Sequence, residues 1–395
     1  MSERIGRMDF LRRTWVEVDL DRIRNNYDRV RERVGDDCKV LCVVKANGYG
    51  HGAVQVARVL EKAGCDWLAV SNIEEAEQLR EAGIELPILI LGSTPPECVG
   101  TLAEYNVTQA VYSKECAEQL SAAAKAAGVT VSVHLKLDTG MRRIGFDATD
   151  AQEVAFAAEV CRMAGLKVSG VFTHFASADG DGDADGEFVK TQYTRFVDAI
   201  EAIERTGVHF SIRHCCNSAA TLTHPEYKLD MVREGIVLYG LAPSEQVEIE
   251  GFLPAMSMKA RVSMVKRVAA GESISYGRTY TADRDITVAT VPVGYADGYI
   301  RAFSKGEVLV QGKRAKIVGR ICMDQMMIDV TGIEVKTGDT VTLFGTDGQA
   351  TLPVEELSEL ADTINYETVC LIGRRVPRVY IQNGAEVHVS GLLGE

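Results

Sequence analysis

Lys45 ends an apolar run, and the segment Val43-Val44-Lys45-Ala46-Asn47-Gly48-Tyr49-Gly50-His51-Gly52 supplies three glycines directly after it. Burying a charged ammonium behind apolar residues is costly, so desolvation there pushes the lysine toward the neutral amine that attacks carbonyl carbons. A Schiff-base lysine is one reading; a side chain whose stem follows apolar surface while its head stays in water is the other. Gly48-x-Gly50-x-x-Ala53 also fits the loose dinucleotide fingerprint, with Glu74 near the acidic position, a weak match by itself. His174 closes VSGVFTH, and Arg233 follows LDMV and precedes Gly235, so both are candidates for the reactive end of a strand. A core histidine and a structural ion pair are the plain alternatives. Tyr276 and Tyr295 stand beside glycines in SYGRTY and VGYADG, where packing is the common role and proton transfer the rarer one. Asp181-Gly-Asp-Ala-Asp-Gly186 opens like a calcium loop, but Gln192 stands where the bidentate Glu belongs and an apolar strand precedes it, which favours a solvated loop. Cys38 with Cys42, and Cys215 with Cys216, have spacings unsuited to structural zinc, so no metal is expected.

The elements that must carry these residues repeat one phrase from about residue 40: a short apolar run, a helical stretch, a closing glycine, and the next apolar run. Ala63-Gly64, Ala82-Gly83, Ala127-Gly128, Ala164-Gly165 and Thr206-Gly207 are the helix exits, each needing a left-handed residue to close the last turn. Adding LCVVK at 41–45, TQAV at 108–111 and a strand near Leu229 to Arg233 gives eight strand–helix units. Eight units predict an α/β fold, a (β/α)8 TIM-like barrel, over a doubly wound open sheet built from the same alternation. After about residue 250 the period becomes two, as in MSMKARVSMVKRV and ITVATVPVG, which predicts a mostly β C-terminal domain. One helix is expected there, Pro353 to Ile364. The expected organisation is therefore 1–13 as an N-terminal segment pairing with the C-terminal domain, 14–247 as the barrel, and 248–395 as the β-rich domain.

Composition excludes whole classes of function. With 395 residues, 46% apolar and 25% charged, the chain has material for a large core. A net charge of −13 repels a phosphate backbone, which argues against nucleic acid as partner. No run reaches the roughly 18 apolar residues of a membrane span. Without a signal-like N-terminus the ten cysteines are expected to be reduced thiols in the cytoplasm.

Nine ordered segments together resemble the alanine racemases, pyridoxal-phosphate enzymes built as a barrel plus a C-terminal β domain: VVKANGYGHG, LKLDTGMRRIGF, FTHFASAD, HCCNSAATL, MVREGIVLYGL, SISYGRTYTA, VPVGYADGY, GRICMDQMMIDVT, and DTINYE with RRVPR. The resemblance implies an isomerase that interconverts L- and D-alanine on pyridoxal 5'-phosphate and supplies D-alanine for peptidoglycan. It implies that Lys45 binds the cofactor covalently and that Tyr276 is the second catalytic base, reaching into the other subunit's site of a homodimer. Tyr49, Ser218 and the backbone of Gly235 and Ile236 would hold the phosphate, Arg233 would face the pyridine nitrogen with His174 nearby, and Arg143 and the backbone of Met323 would bind near the substrate carboxylate. Lys136 matches a position that is carbamylated in some relatives. Two bases suit the chemistry, since racemisation removes a proton from one face and returns one to the other. One departure stands out: Arg374-Arg375-Val376-Pro377-Arg378 replaces the usual Tyr-Arg-Val-Pro-Arg, whose tyrosine lines the phosphate and the inner mouth, and this opens the specificity to serine or larger side chains. A broader amino-acid racemase, a non-catalytic pyridoxal-phosphate carrier and a barrel decarboxylase are the other readings. The carrier would lack the β domain with Tyr276.

Overall fold

The computed structural model describes residues 13–391. The chain divides into two compact units: residues 22–48 with 53–253, and residues up to 21 with 49–52 and 254 onward. Pairing of the segment 1–13 lies outside the described residues, apart from Arg13.

The first of these units is the barrel. After β1 (Thr14–Asp19), which belongs to the other unit, its strands are β2 (Lys39–Val43), β3 (Trp67–Val70), β4 (Ile88–Ile90), β5 (Val107–Val111), β6 (Val131–Asp138), β7 (Leu166–Phe172), β8 (Ile212–His214) and β9 (Met231–Glu234). They pair in parallel and in order from β2 to β8, and β9 pairs back onto β2. Between β8 and β9 a full ladder is replaced by single links, Asp230 N–H to the Arg213 carbonyl at 3.1 Å and Arg233 N–H to the Cys216 carbonyl at 3.1 Å, so the barrel is nearly closed. Tyr239, in the turn after β9, donates its hydroxyl to the Val43 carbonyl at the end of β2 at 3.0 Å. Strands such as Val107–Val111 are buried at every residue, as expected for a parallel sheet covered by helices. All the anticipated exits are left-handed, with φ of +86° at Gly64, +83° at Gly83, +68° at Gly128, +80° at Gly165 and +88° at Gly207.

Thr14–Asp19 does not begin the barrel. It lies inside the sheet of the β-rich unit, antiparallel to β10 (Met256–Arg261) and parallel to β11 (Arg378–Gln382), and its alternate residues Val16 and Val18 are fully buried. Its two partners satisfy its backbone on both edges, and the eight strands β2 to β9 make up the barrel without it. This unit also holds a three-stranded sheet of Met264–Val268, Ile286–Val291 and Met326–Asp329, and a small hairpin, Ser273–Ile274 with Tyr280–Thr281. The expected helix runs from Val354 to Leu360 with Pro353 as its cap, and a second helix, Asn365–Cys370, follows it.

Candidate active site

Lys45 follows β2 at its C-terminal end, the reactive end of a barrel strand. The chain then makes a left-handed turn, with φ of 53° at Ala46, 53° at Asn47, 61° at Gly48 and 50° at Tyr49. Each non-glycine residue there costs roughly 1–2 kcal/mol, a kind of strain that persists only where the surroundings enforce it. Glu75 is one enforcer: its carboxylate accepts from Ala46 N–H at 2.6 Å and from Ser71 N–H at 2.8 Å. Asn47 is another, accepting the Ala53 N–H at 3.0 Å. The glycines of this loop therefore serve a turn in a barrel, and Glu75 beside Glu74 braces that turn; a dinucleotide site on an open sheet does not form.

Arg233, on β9, is buried, and burial pushes its guanidinium down to about 10. Its hydrogen bonds leave from Nη1 and Nη2: Nη1 to His214 Nδ1 at 3.1 Å, and Nη2 to the Thr173 carbonyl at 2.8 Å, the Cys215 carbonyl at 2.9 Å and His174 Nδ1 at 3.2 Å. These acceptors are all neutral, so the charge is held without being cancelled. Lys136, on β6, is also buried, donates to the Leu137 carbonyl at 2.9 Å and lies over the Phe172 ring at 5.4 Å. Burial first, then the nearby Arg233 and Arg143 charges, push its amine down to about 7 against the pull of Asp138. His174 is held well below the ordinary imidazole range by burial, followed by the charges of Arg233, Lys136, Arg143 and Lys45. Lys45 after β2, Lys136 on β6, Arg143 in the loop after β6 and Arg233 on β9 thus all oppose protonation of one ring at the barrel mouth.

The loop after β6 wraps the Asp138 carboxylate, which accepts from Gly140 N–H at 2.8 Å and Arg142 N–H at 3.1 Å. Arg142 pairs with Asp147, whereas Arg143 is exposed and in no ion pair among the described residues. Gln192, the residue at the calcium-loop position, is buried and braces the mouth instead: it accepts from Ala176 N–H at 2.9 Å and donates to Thr139 Oγ1 and the His174 carbonyl at 3.2 Å each. Asp183 and Asp185 lie in the first turn of its helix, Asp183–Glu204, so the loop is partly helical, as acidic residues at an N-terminus favour. Asn217 caps a short helix that begins at Ser218, and Ser218 Oγ accepts from Gly235 N–H at 2.8 Å. Gly235 and Ile236 open the turn after β9, so two backbone segments and a hydroxyl lie together there.

In the other unit, Tyr49 is buried with its ring 6.1 Å from that of Tyr366, and burial pushes its phenol up. The next residues pack tightly: a Cβ on Gly52 would fall 1.7 Å from Tyr380 Oη, and Arg378 donates to the Gly50 carbonyl at 3.0 Å. Tyr276 occupies the turn of the small hairpin and is 72% exposed. Ser275 fastens that turn by donating to the Arg320 carbonyl at 2.6 Å. Met323 and Tyr295 are also exposed, and Tyr295 N–H and Ala296 N–H bond the carbonyls of Cys322 and Met323 at 3.1 Å. Arg374 is exposed and in no ion pair among the described residues. Neighbouring Arg375 instead binds Asp297 at 2.8 Å and Asp324 at 2.6 Å. The ring against Tyr49 is Tyr366, from the DTINYE segment, and it was not singled out from sequence although the segment was. His134, His214 and Glu75 were also missed, and Gln192 was named only for the calcium-loop position, since only their spatial neighbours give them a role.

A nearly closed eight-stranded barrel with a lysine, an arginine and a hydroxyl-braced backbone turn at its C-terminal mouth, followed by a β domain, is the architecture of a class of amino-acid isomerases. Sequence models of the alanine racemase N-terminal domain and C-terminal domain match residues 18–243 and 255–380. The alanine racemase of Desulforamulus reducens is 50% identical over 93% of this chain and 98% of its own, and that of Desulfovibrio desulfuricans is 46% identical over 95% and 100%. Among solved structures, the alanine racemase of Clostridium difficile superposes with a TM-score of 0.91 at 41% identity, covering 96% of this chain and 98% of that one. The Bacillus anthracis alanine racemase with bound L-Ala-P gives 0.90 at 39%, covering 97% and 98%. The chain belongs to the alanine racemase family.

Proposed function

We infer that the chain interconverts L-alanine and D-alanine with pyridoxal 5'-phosphate held at the barrel mouth. Cationic groups gathered at the barrel mouth carry this reading: Arg233 bonds His174 at 3.2 Å, Lys136 and Arg233 lie over the Phe172 ring at 5.4 and 5.6 Å, and such a cluster suits a ligand bearing a phosphate and a substrate bearing a carboxylate. The residues fit the cofactor. Lys45 would hold it covalently. Ser218 with the backbone of Gly235 and Ile236, and Tyr49, would hold the phosphate. Arg233 spends Nη1 and Nη2 on protein acceptors, so its Nε–H suits the pyridine nitrogen, with His174 fixing the guanidinium plane. When bound, the cofactor delocalises the negative charge left at the substrate α-carbon.

The chain's own residues then bind, orient and move protons. Arg143 and the backbone near Met323 hold the substrate carboxylate. The Lys45 amine and the Tyr276 phenol exchange one proton each from opposite faces of the α-carbon. A base as exposed as Tyr276 must be withdrawn from water to act, and a second copy of this chain supplies that cover, making a homodimer with composite sites. Tyr295 and Met323, exposed beside it, belong to the same covered face. Lys136, near neutrality, suits addition of carbon dioxide, which forms a carbamate and releases one proton; the resulting anion would face Arg233 and Arg143. The chain carries no helix long and apolar enough to cross a membrane among its described residues, and a cytoplasmic enzyme fits the reading.

Chiral analysis of the products from L-alanine, L-serine and a panel of longer L-amino acids tests this reading. D-alanine should dominate and Tyr276→Phe should lose about 10²–10⁴-fold in kcat. Release of carbon dioxide, or no change of configuration with a bound cofactor, would refute it.

A further inference from the structure

We propose that His134 is a positioning residue for Arg233, acting through His214 by fixing which ring nitrogen of each imidazole carries the proton. The proposal rests on the reading that Arg233 faces the cofactor ring.

The argument is an inventory of protons. A guanidinium can only donate, so the 3.1 Å contact from Arg233 Nη1 requires a lone pair at His214 Nδ1. A neutral His214 then carries its proton on Nε2. That nitrogen lies 3.0 Å from His134 Nδ1, so His134 must accept there and carry its own proton on Nε2. His134 Nε2 is buried and has no hydrogen-bond partner, so nothing beyond the ring competes to reverse the assignment. Both rings stay neutral: burial pushes His134 down to about 3, and burial with the Arg233 charge holds His214 well below its ordinary range. The two ring dipoles therefore align with their lone pairs toward Arg233, and aligned hydrogen bonds in a dry interior reinforce each other.

The fold makes room for this ring. β6 and β7 slip register between Val133 and His134, which sets His134 opposite Gly170. A Cβ at Gly170 would stand 2.6 Å from the His134 ring. Trp67 closes another side, with ring centroids 5.3 Å apart, and His214 is stacked on Phe172 at 4.9 Å. A bulge and a glycine spent on a buried imidazole with one unpartnered N–H make sense if its acceptor nitrogen is needed, since an apolar side chain would fill the space without leaving a polar atom unpaired.

The test combines histidine-selective ¹⁵N NMR with His134→Leu, which removes the acceptor, and His134→Gln, which keeps one. In the wild type, His214 and His134 should both show the neutral Nε2–H form without titrating between about pH 6 and 9. His134→Leu should lower kcat about tenfold, as loss of one hydrogen bond in a charged network does, with KM for alanine unchanged, and shift the absorbance band of bound pyridoxal phosphate. His134→Gln should recover kcat to within about threefold. An Nδ1–H form of His214 in the wild type, or equal kinetics and spectra for the two variants, overturns the proposal. Should His134→Leu not fold, the wild-type spectrum and His134→Gln decide it. Arg233→Lys separates the two readings: if it leaves the cofactor band unmoved, Arg233 does not face the ring, whereas a band that moves in Arg233→Lys but not in His134→Leu refutes His134 alone.

Discussion

Replacing Lys136 with methionine tests the electrostatics of the barrel mouth. The amine is buried with a single carbonyl acceptor and an aromatic face as neighbours, and two cations outweigh the one nearby carboxylate. Its proton, ordinarily held at 10.5, is held at about 7 in the folded chain. That is about three and a half decades, which at ~1.4 kcal/mol per decade is a folding penalty of about 5 kcal/mol while the amine must be charged. The sign follows from proton binding. Between about pH 7 and 10.5 the unfolded chain holds this proton and the folded chain does not, so stability rises with pH across that window by ~1.4 kcal/mol per pH unit from this residue alone. Below 7 both states hold it and the penalty is complete. Methionine keeps most of the stem against Phe172 and removes the titration.

Denaturant titrations of cofactor-stripped wild type and Lys136→Met at pH 7.5, 8.5 and 9.5, in carbonate-free buffer, read the effect. The stability advantage of the variant should shrink by ~1.4 kcal/mol per pH unit. Parallel profiles would refute the argument, because they would mean that the amine titrates alike in both states. Bicarbonate should flatten the wild-type profile if the amine becomes a carbamate, and should leave the variant unchanged.

Glu75→Ala removes the acceptor shared by Ala46 and Ser71, so the left-handed turn after Lys45 loses its brace; cofactor affinity, read by equilibrium dialysis, should fall at least tenfold, about one charge-assisted bond. Glu234 is buried, bonded to Thr221, and pushed up to about 7 by burial, so the folded chain binds its proton more tightly than the unfolded one between 4.5 and 7 and loses stability as pH rises through that window. Glu234→Gln should therefore raise the melting midpoint at pH 8 and leave it unchanged at pH 4.5. Mixed Lys45→Ala and Tyr276→Phe subunits, with exchange confirmed, should recover part of the racemase activity that each parent lacks, and mixtures as inactive as the parents would exclude composite sites. Arg374→Tyr should leave the serine-to-alanine ratio of kcat/KM in place, since Arg374 is exposed and Tyr366 already packs on Tyr49; a shift beyond about threefold toward alanine would return Arg374 to the substrate wall.

Patterns with a short period were legible in the sequence. Gly64 and its counterparts close helices because left-handed backbone costs glycine least, and the eight buried apolar runs follow from a sheet covered on both faces. Lys45 and Arg233 were legible because a cation after an apolar run marks a strand end. What the sequence hid were partnerships without spacing. β1 reads like any first strand of a barrel, and only its pairing with two strands hundreds of residues away sets it in the other unit. Gln192 looked like a failed calcium ligand because its true partners, Ala176, Thr139 and His174, come from two other loops. Arg374 drew notice because it replaces a tyrosine, whereas the aromatic contact with Tyr49 comes from Tyr366, eight residues earlier, in a segment whose tyrosine no spacing ties to Tyr49.

The way Arg233 is held connects these separate observations. A carboxylate partner would be the cheaper way to bury a guanidinium, since it would cancel the charge on the spot. Its four contacts are instead two imidazole lone pairs and two carbonyls, each able to orient the group but none able to neutralise it. A cation kept whole in this way repels a second proton. It adds to the downward push that burial gives Lys136 and His174, and next to a pyridine nitrogen it would keep that nitrogen unprotonated. A ring kept unprotonated would draw less charge from the substrate α-carbon, and the two bases proposed above, Lys45 and Tyr276, would return the proton from the opposite face. On the proposed reading, the imidazoles on β8 and in the loop after β7 would serve the reaction's selectivity for racemisation by orienting Arg233.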